Sequence, residues 1–175
     1  STVDSPVTTP RQIEVTVTDD SGLSSNTAVS TINLTTTPPP PPPPSIPPVL
    51  DLDANDSAAS GTAFQTTATA NGGPVAIVDA DVSITDSDST QMSGATVVLS
   101  NPQLGDELAF NQLVDQIPAG ITATLSADGH TITLSGNASL ADYQTALKAI
   151  SFESTLDAPS TTPRQLQVTV TDVSG

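Results

Sequence analysis

The chain has 175 residues, 35% of them hydrophobic, with 19 acidic and 3 basic residues and a formal net charge of −16. That is room for one ordinary domain plus extra segments around one modest core, and the charge excludes attraction to nucleic acid or an anionic membrane surface. No apolar run is long enough to span a bilayer, no basic segment followed by an apolar one opens the chain, and the absence of Cys removes disulfides and thiolate metal sites.

In chain order, Ile13, Val15 and Val17 alternate with Glu14, Thr16 and Thr18, which predicts a strand with one buried and one wet face. A second strand is expected over 26 to 35. Pro38 to Pro44 are then uninterrupted, with Pro47 and Pro48 following. Proline fixes φ and supplies no N–H, so an extended polyproline spacer is expected, reaching roughly 34 Å at ~3.1 Å per residue. Further strands are expected at 62 to 70, 74 to 79, 94 to 100, 121 to 127, 130 to 135 and 149 to 153, where Thr, Val and Ile are bounded by Gly, Asn, Asp or Pro. Asp128-Gly129 marks a hairpin turn. The exception is a helix over about 139 to 148, with Ser139 as N-cap, Asp142 at its third position, and Leu140, Tyr143, Leu147 and Ile150 at helical spacing. Tyr143 and Leu147 are expected in the core. The fold class expected is therefore all-β with one short helix.

Residues 1 to 22 recur at 154 to 175 with 16 of 22 positions identical. Such self-similarity indicates tandem duplication, so further copies are expected on both sides. The expected organisation is 1–35 as the closing strands of one repeat or as donated strands, 36–48 as a Thr/Pro-rich linker, and 49–175 as the next repeat without its last strand. The strand at 26 to 35 could complete a neighbouring copy or fold back on its own domain, satisfying backbone groups that an incomplete sheet exposes.

The catalytic inventory is thin. His130 is the only histidine, expected as an exposed strand residue after the turn, and Phe64, Phe110, Phe152 and Tyr143 are the only aromatic residues. No enzyme and no sugar-stacking platform is expected. The acids are the more informative feature: 15 lie between Arg11 and Lys148 with no base among them. They cluster as Asp51, Asp53, Asn55 and Asp56 in DLDAND, Asp79 and Asp81 in DAD, and Asp86 and Asp88 in DSDS, while Asp19 and its duplicate Asp172 end strands. A hard cation such as Ca2+ takes six to eight oxygen ligands, and Asp residues two apart can offer several from one loop. No twelve-residue EF-hand pattern occurs, and solvated turns and caps are the alternative use of such loops.

GTAFQTTATANGGPVAIVDADVSITDSDS at 61 to 89, SGNASLADYQTALKAISFEST at 135 to 155 and RQLQVTVTDVSG at 164 to 175 together resemble the tandem cadherin-like or immunoglobulin-like repeats of giant secreted bacterial proteins, including RTX-type adhesins. The resemblance covers 49 to 175 and, through the duplication, 1 to 35. It implies a Greek-key β-sandwich extender, exported to the cell surface or medium, with calcium in D-x-D and D-x-N-D-N-like loops near domain junctions. DANDS at 53 to 57 is similar to the second motif without its final Asn, and the seven-proline run departs from the short linkers of such arrays. The expected partners are neighbouring repeats of the same protein, as a covalent tandem or a strand-donating polymer. Three functions follow: a calcium-stiffened extender of an adhesin or extracellular fibre, a self-assembling filament subunit, and a calcium-dependent glycan- or cell-binding domain.

Overall fold

In the computed structural model, which describes residues 7–35, 40–110 and 117–173, the chain divides into two compact units, Ser1–Pro43 and Pro44–Gly175. The alternation at 13 to 17 gives the first unit a strand that no second layer covers among the described residues. Strands β1 (Arg11–Val15) and β2 (Ala28–Ile32) pair antiparallel, Ile13 opposite Ser30 and Val15 opposite Ala28. Every residue of both is exposed, the apolar Ile13, Val15, Val29 and Ile32 included. Two strands provide no second layer, and such hairpins are marginal on their own. Asp19 organises the connection, its Oδ1 accepting the N–H groups of Ser21 and Leu23 at 2.9 Å each.

The second unit opens with residues 44 to 47, exposed and in neither helix nor strand, then β3 (Val49–Asp51), β4 (Val75–Ala76), β5 (Ser83–Thr85), β6 (Gln91–Leu99), β7 (Asp106–Phe110), β8 (Thr122–Leu125), β9 (Thr131–Ser139), α1 (Leu140–Lys148), β10 (Ile150–Ser154) and β11 (Leu166–Asp172). All pairings are antiparallel: a four-stranded sheet β11-β6-β9-β8, a three-stranded sheet β4-β10-β7, and a separate ladder β3-β5. The fold is all-β with one short helix, as the residue pattern predicts. The core draws Val97 and Leu99 from β6, Ile132 and Leu134 from β9, Ile150 and Phe152 from β10, and Tyr143 and Leu147 from α1.

The helix begins where its chemistry dictates. Ser139 Oγ accepts the Asp142 N–H at 3.1 Å and Asp142 Oδ2 accepts the Ser139 N–H at 3.3 Å, a reciprocal cap that satisfies two orphan donors. Asp142 in the first turn and Lys148 in the last complement the helix dipole. Tyr143, fully buried, donates its hydroxyl to Gly136 O at 2.6 Å. Gly136 lies where the β6–β9 register shifts between the pairs Met92–Ala138 and Gly94–Ser135, leaving an extra residue on β9. Its φ is +124°, and a Cβ there would stand 2.1 Å from Gly120 O, so only glycine fits.

One ion pair joins the two larger sheets. Asp106, at the start of β7 and 4% exposed, receives Arg164 Nε at 2.6 Å and Nη2 at 3.0 Å from just ahead of β11, with the Gln103 N–H adding a third bond at 2.8 Å.

Three expectations need correction. Residues 62 to 70 form no strand: Phe64 is the one large apolar side chain there, and the Thr and Ala around it leave neither face enough to bury. Strands β3, β5 and β7 were not expected; the first two have three residues each, too few for a period to register, and β7 opens with two acids that read as loop. His130 is half-buried, with Nε2 3.2 Å from Asp106 O.

Candidate metal centre

Six of the ten residues expected as ligands converge in two groups of three. Asp53, Asp79 and Asp81 form one; Asp86, Asp88 and Asp172 form the other; within each, one carboxylate oxygen per residue lies within 4.8 Å of the others. The short β3–β5 ladder places both. Antiparallel pairing of Val49 with Thr85 and Asp51 with Ser83 puts Asp53 and the 79–81 loop past one end of the ladder, and Asp86 and Asp88 past the other. Asp172 arrives from the end of β11, so the second group brings together the tip of the four-stranded sheet and the loop after β5.

In the first group, Asp53 is fully buried and its oxygens are heavily used. Oδ1 accepts the Ser57 N–H at 3.1 Å, while Oδ2 accepts the N–H groups of Ala58 at 2.6 Å and Ala59 at 3.0 Å. Burial pushes its pKa up, but the bonds from Ala58, Ala59 and Ser57 together outweigh that and hold the carboxyl below the usual range. Asp53 is thus an anion that orders its own loop. Ser57 Oγ stands 3.2 Å from Asp53 Oδ1 and 3.0 Å from Asp79 Oδ2, sharing one proton between them. Asp81 differs: its Oδ1 is buried without any hydrogen-bond partner. A cation here would be held by Asp79 and Asp81, with Asp53 supplying charge from the side.

In the second group, Asp86 Oδ1 accepts the N–H groups of Asp88 at 3.0 Å and Ser89 at 3.1 Å. The Asp88 N–H is the main reason the Asp86 carboxyl sits below its ordinary pKa, against the opposing effect of burial. Asp86 Oδ2 is buried and receives no backbone or hydroxyl donor. Asp88 Oδ2 accepts the Ile46 N–H at 3.0 Å, tethering the residue ahead of Pro47 and Pro48, and Asp172 is 2% exposed. A cleft of about 240 Å³ lined by Ile46, Pro47, Val49, Thr85, Asp86 and Ser87 opens beside this group.

Among the described residues, Asp53, Asp79, Asp81, Asp86 and Asp88 enter no ion pair. All-oxygen donor sets of this charge fit a hard divalent cation and do not suit softer metals that prefer nitrogen or sulfur.

The remaining expected ligands belong to neither group. Asp51 Oδ1 accepts the Asp53 N–H at 3.1 Å, a local turn bond. Asn55 and Asp56 are exposed on the outer loop, Asp56 with φ +54°. Asp19 caps the turn of the other unit. Ser57, which bridges Asp53 and Asp79, was not foreseen; its position four residues after Asp53 in DANDS is the only signal that could have shown it. Among the described residues no helix is long and apolar enough to cross a membrane. Compared with known proteins, the chain matches no protein family, no curated protein and no solved structure.

Proposed function

We propose that the chain is a structural extender repeat of a bacterial surface adhesin or extracellular fibre, stiffened by calcium. In this reading the two larger sheets of the second unit are the layers of a Greek-key, immunoglobulin- or cadherin-like sandwich, and its ions sit in the two carboxylate groups. The observation that carries it is the convergence of Asp86 and Asp88 with Asp172, which is 84 residues beyond Asp88 in the chain. Among the described residues Asp79, Asp81, Asp86 and Asp88 enter no ion pair, and Ca2+ matches such all-oxygen donors. The location agrees with the role: the second group lies where the proline-rich segment enters the fold, Asp88 accepting the Ile46 N–H, so an ion there would fix that entry.

The test is thermal unfolding and calorimetric titration of the full chain. Calcium at about a hundred times its Kd stabilises the folded state by about 2.7 kcal/mol, which for a unit of this size raises Tm by roughly 8 to 11 °C. Asp81→Asn, at a carboxylate whose buried Oδ1 has no hydrogen-bond partner, separates this from simple charge relief. With calcium it lowers Tm by removing a ligand; with chelator it leaves Tm unchanged or raises it by reducing repulsion. No heat of titration, together with superimposable melts in calcium and chelator, would sink the reading.

A further inference from the structure

Strand β11 pairs with β6 on one edge, and among the described residues no strand pairs with the other. The sequence carries a template for what fits there. Pro10 to Asp19, PRQIEVTVTD, matches Pro163 to Asp172, PRQLQVTVTD, at 8 of 10 positions. Ile13, Val15 and Val17 are therefore the counterparts of Leu166, Val168 and Val170, and β1 already has a partner in β2.

The phase of the backbone groups decides whether the template transfers. Val17 O accepts the Ser25 N–H at 2.8 Å and the Val17 N–H donates to Ser25 Oγ at 3.1 Å, so Val17 faces β2, as do Val15 and Ile13 by alternation. On β11, Gln165 O accepts the Ser100 N–H at 2.9 Å, so the odd-numbered residues face β6. Leu166, Val168 and Val170 turn their N–H and C=O groups to the open edge. The edge that β1 presents to β2 is thus the edge that β11 leaves open. Had the phase been opposite, a β2-like strand would have competed with β6.

The chemistry of the two segments agrees. From Leu166 to Thr171 the edge carries no charge, and neither does SNTAVSTINLT at 25 to 35, so pairing buries no ion and meets none of the charged residues that guard exposed edges. Leu166, Val168 and Val170 pack on the core yet stay half-exposed, which is the condition of a core face with a missing neighbour. The donor costs little to free, because β2 in its hairpin is exposed throughout.

We propose that the open edge of β11 takes strand β2 of a second copy of this chain, antiparallel, with Val168 opposite Ala28 and Leu166 opposite Ser30. This adds a fifth strand to the four-stranded sheet and links copies by β-augmentation. It goes beyond the extender reading and does not depend on calcium. With a charge of −16 per copy, association strengthens as salt screens the repulsion.

The test is sedimentation of the full chain from about 1 µM to about 500 µM at high salt, with chelator present throughout so that metal plays no part. The expected result is concentration-dependent association that Ser30→Pro weakens by roughly tenfold or more, with the melting of the second unit unchanged. A synthetic peptide of residues 25 to 35, added to isotope-labelled full chain, should shift the amide resonances of Leu166, Val168 and Val170 and dissolve the association. A chain that stays monomeric while the peptide shifts nothing overturns the proposal. So does association indifferent to Ser30→Pro, or peptide shifts on another strand. A monomer whose β11 amides are protected in a way that Ser30→Pro abolishes overturns it as well, because the chain's own hairpin then supplies the strand.

Discussion

Removing one partner of the Arg164–Asp106 pair should loosen the second unit more than any other single change of charge. Asp106 has a fully buried side chain and Arg164 one that is 11% exposed, joined by two bonds of 2.6 and 3.0 Å in a fork geometry. Truncating one member of such a buried pair costs about 3 to 5 kcal/mol, because the other is left charged and unpaired. The exposed tenth of Arg164 lets water recover part of that, so about 2 to 4 kcal/mol is expected for Arg164→Met, or roughly 6 to 15 °C in Tm. Asp106→Asn should cost a similar amount, since Gln103 N–H also loses its anionic acceptor. The double variant should cost less than the sum of the singles, the deficit measuring the coupling.

The pair also sets a pH dependence. Burial pushes the Asp106 pKa up, but the Arg164 hydrogen bonds and charge and the Gln103 N–H outweigh it, so the folded-state value lies below the unfolded one. A depressed carboxyl contributes stability that is present above its unfolded pKa, about 3.9, and is lost as pH falls through the folded value. Melts of the wild type and Asp106→Asn should therefore differ most near neutrality and converge in acid below that point. Singles costing under about 0.5 kcal/mol, or a difference that persists unchanged into acid, would show that the two sheets are not joined by this pair.

The other predictions concern the cap, the bulge and the ions. Ser139→Ala removes the acceptor for the Asp142 N–H and should cost about 1 kcal/mol in chemical denaturation, whereas Ser139→Asp should restore most of it. Gly136→Ala forces a Cβ against Gly120 O at a positive φ, and the backbone must shift; the expected loss of about 3 kcal/mol or more is read in the same denaturation series, and a neutral result would place the bulge elsewhere. Chelation should lower Tm in the wild type and have little effect on a variant lacking Asp81 and Asp86 carboxylates together, checked by scanning calorimetry.

How far the fold was legible follows the range of the interaction concerned. Local chemistry wrote itself plainly: the Ser139–Asp142 cap, the Asp128-Gly129 turn, and the alternation through Leu166, Val168 and Val170. The D-x-D spacing marked acids that the fold gathers but not how they group. Asp79 joins Asp53 rather than Asp86, and Asp172 joins Asp86, because the β3–β5 ladder decides which loops meet, and three-residue strands leave no period to read. Asp106 was missed for the same reason in another form. An acid beside Glu107 looks like a loop until Arg164, 58 residues away, arrives to hold it in the interior. Asp51 shows the reverse case, in which a promising sequence pattern spends its side chain on the turn itself, while Asn55 and Asp56 stay exposed.

The β3–β5 ladder has a mechanical meaning as well. Tension drawn through the prolines enters the fold at Val49, and the first structure to bear it is a ladder of only three residue pairs. Unaided, so short a zipper would be the first to part, well before the nine-residue strands behind it. In the proposed calcium-bound form a bolt at each end would change the order of failure, so that the same few carboxylates would decide whether the molecule yields as a soft spring or holds as a rod.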